Sequence, residues 1–330
     1  MQTKLNSLQM AWATDWSALF GNDNPLIVEI GFGNADYLIA LAKKYPDHNI
    51  IGFEISQPSL DKAEKKIKRE KLTNAIAIYS RGETALHHLF TPKSISQIHI
   101  NYPDPWFKSR HAGRRIMQAN MVDAIASRLT DDGLFYLATD IIDYAEMSHE
   151  ILVEMPSLTN MLSSAWVTDF PERLITTKYE ERGFEEGRNG HYFKYCRNEH
   201  PAPDVPVKEE LAVPHVVLRT PMPAQEIAAA VGKQVFHKDD AIHVAVFNGY
   251  WNPANNSVLF EVNIEEPTIE QHIGILMRYR DQKEDYVLQF ATFGLPRPTE
   301  GMHFATRQIA DWVVSLHEDA TIKSDFTADV

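Results

Sequence analysis

The sequence predicts an α/β chain: a doubly wound domain with a mostly parallel sheet, then a small α+β domain with an antiparallel sheet. Three observations lead there. Up to about residue 154, short apolar runs alternate with amphipathic stretches, the pattern of strands alternating with helices around a parallel sheet. Six prolines, Pro201, Pro203, Pro206, Pro214, Pro221 and Pro223, then crowd into about two dozen positions, as in a linker. Beyond them strand-like runs follow one another with turn signals between them.

The elements follow in order. Trp12, Trp16 and Phe20 fall at spacing four and form one helical stripe. Residues 26–30 are a short apolar strand ending at Gly31 and Gly33, and 35–44 a helix. A second strand spans 49–54. Pro58 sits at the start of a charged helix reaching about Lys71, where proline's missing N–H does no harm. Strands at 75–79, 96–100 and 133–138 alternate with helices at 84–90, 116–129 and 142–154. Residues 176–195 suggest two strands about the turn at 187–190. In the C-terminal part, strand-like runs at 242–247, 257–263, 271–279 and 286–293 are separated by turn signals at Asn248-Gly249 and 281–285. Ile309, Trp312, Val313 and Leu316 then make one helix face. The implied organisation is a domain over 1–199, a linker over 200–223 and a small α+β domain of unknown role over 224–330.

The net charge of −13 argues against a nucleic-acid binder that works through bulk charge. The charge is uneven, however. Residues 1–199 carry 22 Lys+Arg against 26 Asp+Glu, while 200–330 carry 10 against 19. The first part also gathers its cations locally, at 62–71 and 108–115, so a local RNA-binding patch is compatible with the total. The single cysteine, Cys196, excludes an internal disulfide and suits a reducing compartment. No signal peptide or apolar span of ~18 residues is evident, so the expected location is the cytoplasm, away from membranes. The histidines show no ligand spacing, and no metal is expected.

Chemistry concentrates at two strand ends. Glu29-Ile30-Gly31-Phe32-Gly33-Asn34-Ala35 turns a strand into a helix, and glycines there let backbone approach a ligand. Glu29 precedes the glycines, and Glu54 ends the next strand, where a carboxylate can accept both hydroxyls of a ribose. The Gly-x-Gly-x-x-Gly start that grips a pyrophosphate is missing. A carboxylate-rich, phosphate-free site suits S-adenosylmethionine better than a dinucleotide, which stays the alternative. The second site is Asn101-Tyr102-Pro103-Asp104-Pro105-Trp106. Its prolines stiffen the loop, so Asp104 and Trp106 are held at a strand's C-terminal end. The cations Lys108, Arg110, Arg114 and Arg115, with His111, follow at once and are suited to phosphates.

These segments, with Ala138-Thr139-Asp140 and Thr177-Lys178-Tyr179-Glu180 before Arg182-Gly183, resemble the bacterial tRNA (guanine-N7)-methyltransferase family over about residues 12–197. The resemblance implies a Rossmann-like methyltransferase fold acting on a guanosine in the tRNA variable loop, with S-adenosylmethionine as methyl donor and tRNA as partner. It implies donor contacts at Glu29 and Glu54, alongside Gly31 and Gly33, a catalytic Asp104 that also faces the donor, and guanosine contacts at Lys108, Asp140, Thr177, Lys178, Tyr179 and Glu180. Asp140 and Glu180 would meet the N1 and N2 hydrogens of the base. Arg81-Gly82-Glu83-Thr84 departs from the family's Asp-Ala pair, and Glu83 is the candidate replacement in the adenine region. The rival readings are a non-catalytic RNA-binding protein that keeps the fold, and a methyltransferase acting on a protein or small molecule.

Overall fold

The computed structural model describes residues 2–106, 113 and 115–328, and the chain divides into two compact units, Met1–Lys208 and Glu209–Val330. In the first unit the elements are β1 (Lys4–Asn6), α1 (Trp16–Phe20), β2 (Leu26–Ile30), α2 (Asp36–Lys44), β3 (Asn49–Glu54), α3 (Gln57–Arg69), β4 (Ala75–Tyr79), α4 (Gly82–His88), β5 (Ile95–Asn101), α5 (Ala119–Arg128), β6 (Leu129–Thr139), α6 (Ile142–Val153), β7 (Leu158–Asn160), α7 (Lys178–Glu185) and β8 (His191–Arg197).

Eight strands form one sheet in the order β1-β4-β3-β2-β5-β6-β8-β7. Pairing is parallel from β1 through β6, and antiparallel for β6–β8 and β8–β7. The strand order reverses at β2, so β2 and β5 flank the switch point, where ligands of such sheets bind at the carboxyl ends. The middle strands are continuous apolar runs because helices cover both faces. Ile27, Val28, Ile50, Ile51, Phe53, Ile76 and Ile98 have no exposed surface. Each such side chain stabilises the fold by about 1.5–3 kcal/mol. In α3, Leu60, Ala63 and Ile67 are buried at helical spacing while its lysines face outward. Ser56 caps it by accepting from the Ser59 N–H.

The second unit comprises β9 (His215–Arg219), α8 (Ala224–Ala230), β10 (Gln234–Lys238), β11 (Ile242–Asn252), β12 (Ser257–Glu266), β13 (Ile269–Arg280), β14 (Asp285–Phe290), α9 (Glu300–Ser315) and β15 (Thr321–Asp325). Its strands pair antiparallel in the order β10-β11-β12-β13-β14-β9-β15. The α8 and α9 side chains Ile227, Met302, Ile309 and Val313 join Val244, Phe260 and Ile275 in its core. No helix among the described residues is long and apolar enough to cross a membrane.

Four expectations change. The stripe at Trp12, Trp16 and Phe20 is helical only from Trp16, although all three rings pack on the core. Residues 178–185 are helix α7 rather than a strand, because Thr177 and Glu180 close a capping box at its start. Asn248-Gly249 lies inside β11, at a register shift between Val246 and Asn248, rather than at a turn. The expected linker is in part structured. Val205 packs on the first core and its carbonyl accepts from Arg128, while His215–Arg219 is strand β9.

Candidate active site

At the carboxyl end of β2 the chain turns sharply. Gly31, Gly33 and Ala35 all have left-handed backbone, with φ of 75°, 52° and 62°. The Gly31 N–H donates to the Phe53 carbonyl on β3 (2.8 Å), and the Gly33 N–H to Glu54 Oε2 (2.9 Å). Glu54 Oε1 accepts from the N–H groups of Ile55 and Ser56 at 2.8 and 3.0 Å. Its carboxylate therefore locks the loop to the start of α3, and Oε2 keeps accepting capacity toward a ligand. A Cβ on Gly33 would lie 3.3 Å from the Tyr179 ring, so glycine serves both the φ and the close approach.

Glu29, the last polar residue of β2, is 1% exposed. Its Oε1 accepts from Asn101 Nδ2 at 3.0 Å, while Oε2 has no partner among the described residues. Burial pushes its pKa up to about 7, opposed by the hydrogen bond from Asn101 and by Arg173, and assisted by the nearby carboxylates of Glu54 and Asp36.

Arg173 is the residue that sequence reasoning missed. Its Nη1 donates to Asn101 Oδ1 at 2.6 Å, and its Nε and Nη2 to Glu180 Oε2 at 3.2 and 3.0 Å. The guanidinium lies 4.4 Å from the centroid of the Tyr37 ring. Glu180, 2% exposed, also accepts from the Thr177 N–H and the Tyr192 hydroxyl. Both its oxygens thus accept hydrogen bonds from the protein. Thr177 caps α7 through its hydroxyl. Lys178 and Tyr179 are exposed and face the glycine loop. The Thr-x-x-Glu spacing is the signal that could have found the start of α7. Next to Tyr37, the buried ring of His99 stacks on Tyr136, and burial lowers its pKa to about 3, with Arg173 adding to the effect.

Asp104 is exposed at the end of β5, in a loop whose Tyr102 and Trp106 have φ of 51° and 43°. A tyrosine and a tryptophan in left-handed backbone mark stored strain, a feature that concentrates at functional sites. The loop is braced. The Tyr102 N–H donates to the Ala138 carbonyl, and Arg115 donates to the carbonyls of Pro105 (3.0 Å) and Trp106 (3.3 Å). Arg115 therefore braces the loop through these two carbonyls. Lys108, Arg110, His111 and Arg114 lie outside the described residues. Glu83, in the first turn of α4, and Asp104 both come close enough to Tyr144 to add to the effect of burial in raising its pKa. At the adjoining Gly82 a Cβ would meet Ile30 at 2.7 Å and Ile116 at 3.0 Å. Asp140 accepts from Arg188 Nε at 2.7 Å and borders a second depression with Ile141, Ile142 and His191.

Glu29, Gly31, Gly33, Asp36, Asn101, Thr177, Lys178 and Tyr179 line one cleft over the switch point. Its buried, half-satisfied carboxylate and its second acid, Asp36, suit a cationic ligand with hydroxyl groups and oppose a pyrophosphate. S-adenosylmethionine fits that donor set. Among the described residues no His, Cys, Asp and Glu side chains group so as to hold a metal ion.

A family model described as "Putative methyltransferase" matches residues 23–192. The tRNA (guanine-N(7)-)-methyltransferase of Aliivibrio salmonicida is 32% identical over 184 residues, covering 56% of this chain and 77% of that protein. That of Vibrio parahaemolyticus is 31% identical over 203 residues, covering 58% and 85%. The chain belongs to the tRNA (guanine-N7)-methyltransferase family. It is an S-adenosylmethionine-dependent methyltransferase. Among solved structures, the 16S rRNA methyltransferase KamB is 13% identical with a TM-score of 0.44, covering 56% of this chain and 93% of that one. The cleft, the Asp104 loop and α7 of this family member all fall within the matched residues, and the second unit lies beyond them.

Proposed function

We propose that the protein transfers a methyl group from S-adenosylmethionine to N7 of a guanosine in the variable loop of tRNA. The names of its relatives support this reading. The observation that carries it is the pairing of two features on adjacent parallel strands: the buried carboxylate of Glu29 ending β2, and the strained loop bearing Asp104 at the end of β5.

When bound, S-adenosylmethionine supplies an electrophilic methyl on a cationic sulfur. Guanine N7 carries a free lone pair, so no base need remove a proton before attack. The N7–methyl bond forms as the carbon–sulfur bond breaks, and positive charge passes to the purine. The protein's work is alignment and electrostatics. Glu29 in its ionised form attracts the donor's positive end. Gly31 and Gly33 let its chain lie against the backbone, Glu54 Oε2 accepts from the ribose, and Glu83 borders the adenine region. Asp104, exposed at the cleft end of β5, faces the charge that develops on the purine. Asp140 accepts from the guanine amino edge, while Lys178 and Tyr179 close over the base beside Thr177. Lys108, Arg110, His111 and Arg114 meet the RNA backbone. A tRNA substrate places this work in the cytoplasm.

The test is positional. Unmodified tRNA is incubated with the protein and S-adenosylmethionine, reduced with borohydride and treated with aniline, which cleaves at N7-methylguanosine. A single new cut in the variable loop is expected. Cuts elsewhere refute the assigned position, and a gel shift without cleavage favours a non-catalytic RNA-binding protein.

A further inference from the structure

We infer that Arg173 is a positioning residue that couples the methyl-donor cleft to the segment Thr177–Glu180 closing over it. The inference rests on the reading of this cleft as the donor site. One guanidinium joins four elements. Through Asn101 on β5 it fixes the Glu29 carboxylate on β2. Through Glu180 it fixes the first turn of α7. Against the Tyr37 ring it packs on α2. Arginine suits this place because its fork donates in two directions at once, whereas a lysine ammonium is a point charge without fixed directions.

The consequence runs along the chain from Arg173. Glu180 is buried and holds the Thr177 N–H, the Tyr192 hydroxyl and Arg173 together. Without the guanidinium a buried carboxylate loses its only counter-charge among the described ion pairs. The start of α7 then loses its hold, and with it the approach of Tyr179 to Gly33. On the other side Asn101 is released to turn, and Glu29 loses an oriented donor. Arg173 is not among the residues that line the cleft, yet it sets the place of groups on both sides of it.

The experiment compares Arg173→Gln and Arg173→Lys with the wild type in the full-length chain. S-adenosylmethionine affinity is measured by calorimetry across pH, and folding by circular dichroism and thermal melting. For Arg173→Gln we expect a weakening on the order of tenfold or more, the scale of one lost charge-assisted hydrogen bond. The pH at which affinity rises should also move upward, because the cation opposing protonation of Glu29 is gone while the carboxylates of Glu54 and Asp36 remain. A residue that merely held the fold would lower the melting temperature without moving that midpoint. Arg173→Lys should restore the midpoint and only part of the affinity. An Arg173→Gln protein with near wild-type affinity and an unmoved midpoint overturns the inference. Should Arg173→Gln fail to fold, an Arg173→Lys protein with full affinity overturns it equally. Failure of the tRNA reading is separable: a wild type that binds S-adenosylmethionine but leaves tRNA unmethylated refutes the substrate and leaves these binding outcomes intact.

Discussion

Replacing Glu29 by Gln removes a titrating group from the centre of the first unit with almost no change of shape. The carboxyl is fully buried, one oxygen has no described partner, and its pKa is pushed from the ordinary 4.5 to about 7. A raised folded-state pKa means that the fold favours the protonated form. The stability it contributes is complete below the unfolded value, declines as pH rises, and is gone above about pH 7. Working through that shift at ~1.36 kcal/mol per unit, the wild type loses about 2 kcal/mol from this group between about pH 5.5 and about pH 8. Glu29→Gln cannot titrate, so its stability should vary less by that amount over the same interval. Urea denaturation of both proteins at both pH values measures it, and comparing the two cancels every other titrating group. The variant should be relatively more stable at high pH and yet bind S-adenosylmethionine more weakly. Parallel stability curves for the two proteins would refute the claim that Glu29 is held above its ordinary pKa by burial.

Three further outcomes follow from the site. Asp104→Asn should nearly abolish methyl transfer while leaving tRNA binding largely intact; turnover near that of the wild type, measured with labelled methyl donor, removes Asp104 from its role. Arg115→Ala should reduce turnover by loosening the loop, without flattening the salt dependence of tRNA binding, whereas a slope lower by ~0.9 would make it a phosphate ligand after all. A chain ending at Arg197 should be less stable than one ending at Lys208 by about 1.5–3 kcal/mol. It loses the Val205 carbonyl that accepts from buried Arg128, whose pKa burial lowers to about 10, and equal urea midpoints would contradict this.

The parallel core was legible because its strands are unbroken apolar runs punctuated by Gly-Phe-Gly and by prolines. Strand β1, three residues long, is specified by its edge pairing with β4 and has no pattern of its own. Helix α7 was misread because Thr177 and Tyr179 carry strand preference, and the capping interaction outweighed it. Strand β9 was obscured by the prolines on either side. At the site, Glu29, Gly31, Gly33 and Asp104 stood out through local spacing. Arg173 did not, since its partner Asn101 is 72 residues away. Nothing local distinguishes an arginine that bridges two buried side chains from one on the surface. Arg115 shows the converse: a cation in a basic run that the fold turns toward backbone carbonyls.

Nucleoside analysis reads methyl transfer to guanine N7 at its product. The full-length protein is incubated with deuteromethyl-labelled S-adenosylmethionine and unmodified tRNA, and the tRNA is digested and analysed by mass spectrometry. Labelled 7-methylguanosine is the expected product, lost with Asp104→Asn. Label on a different nucleoside, or unlabelled tRNA despite bound methyl donor, would contradict it.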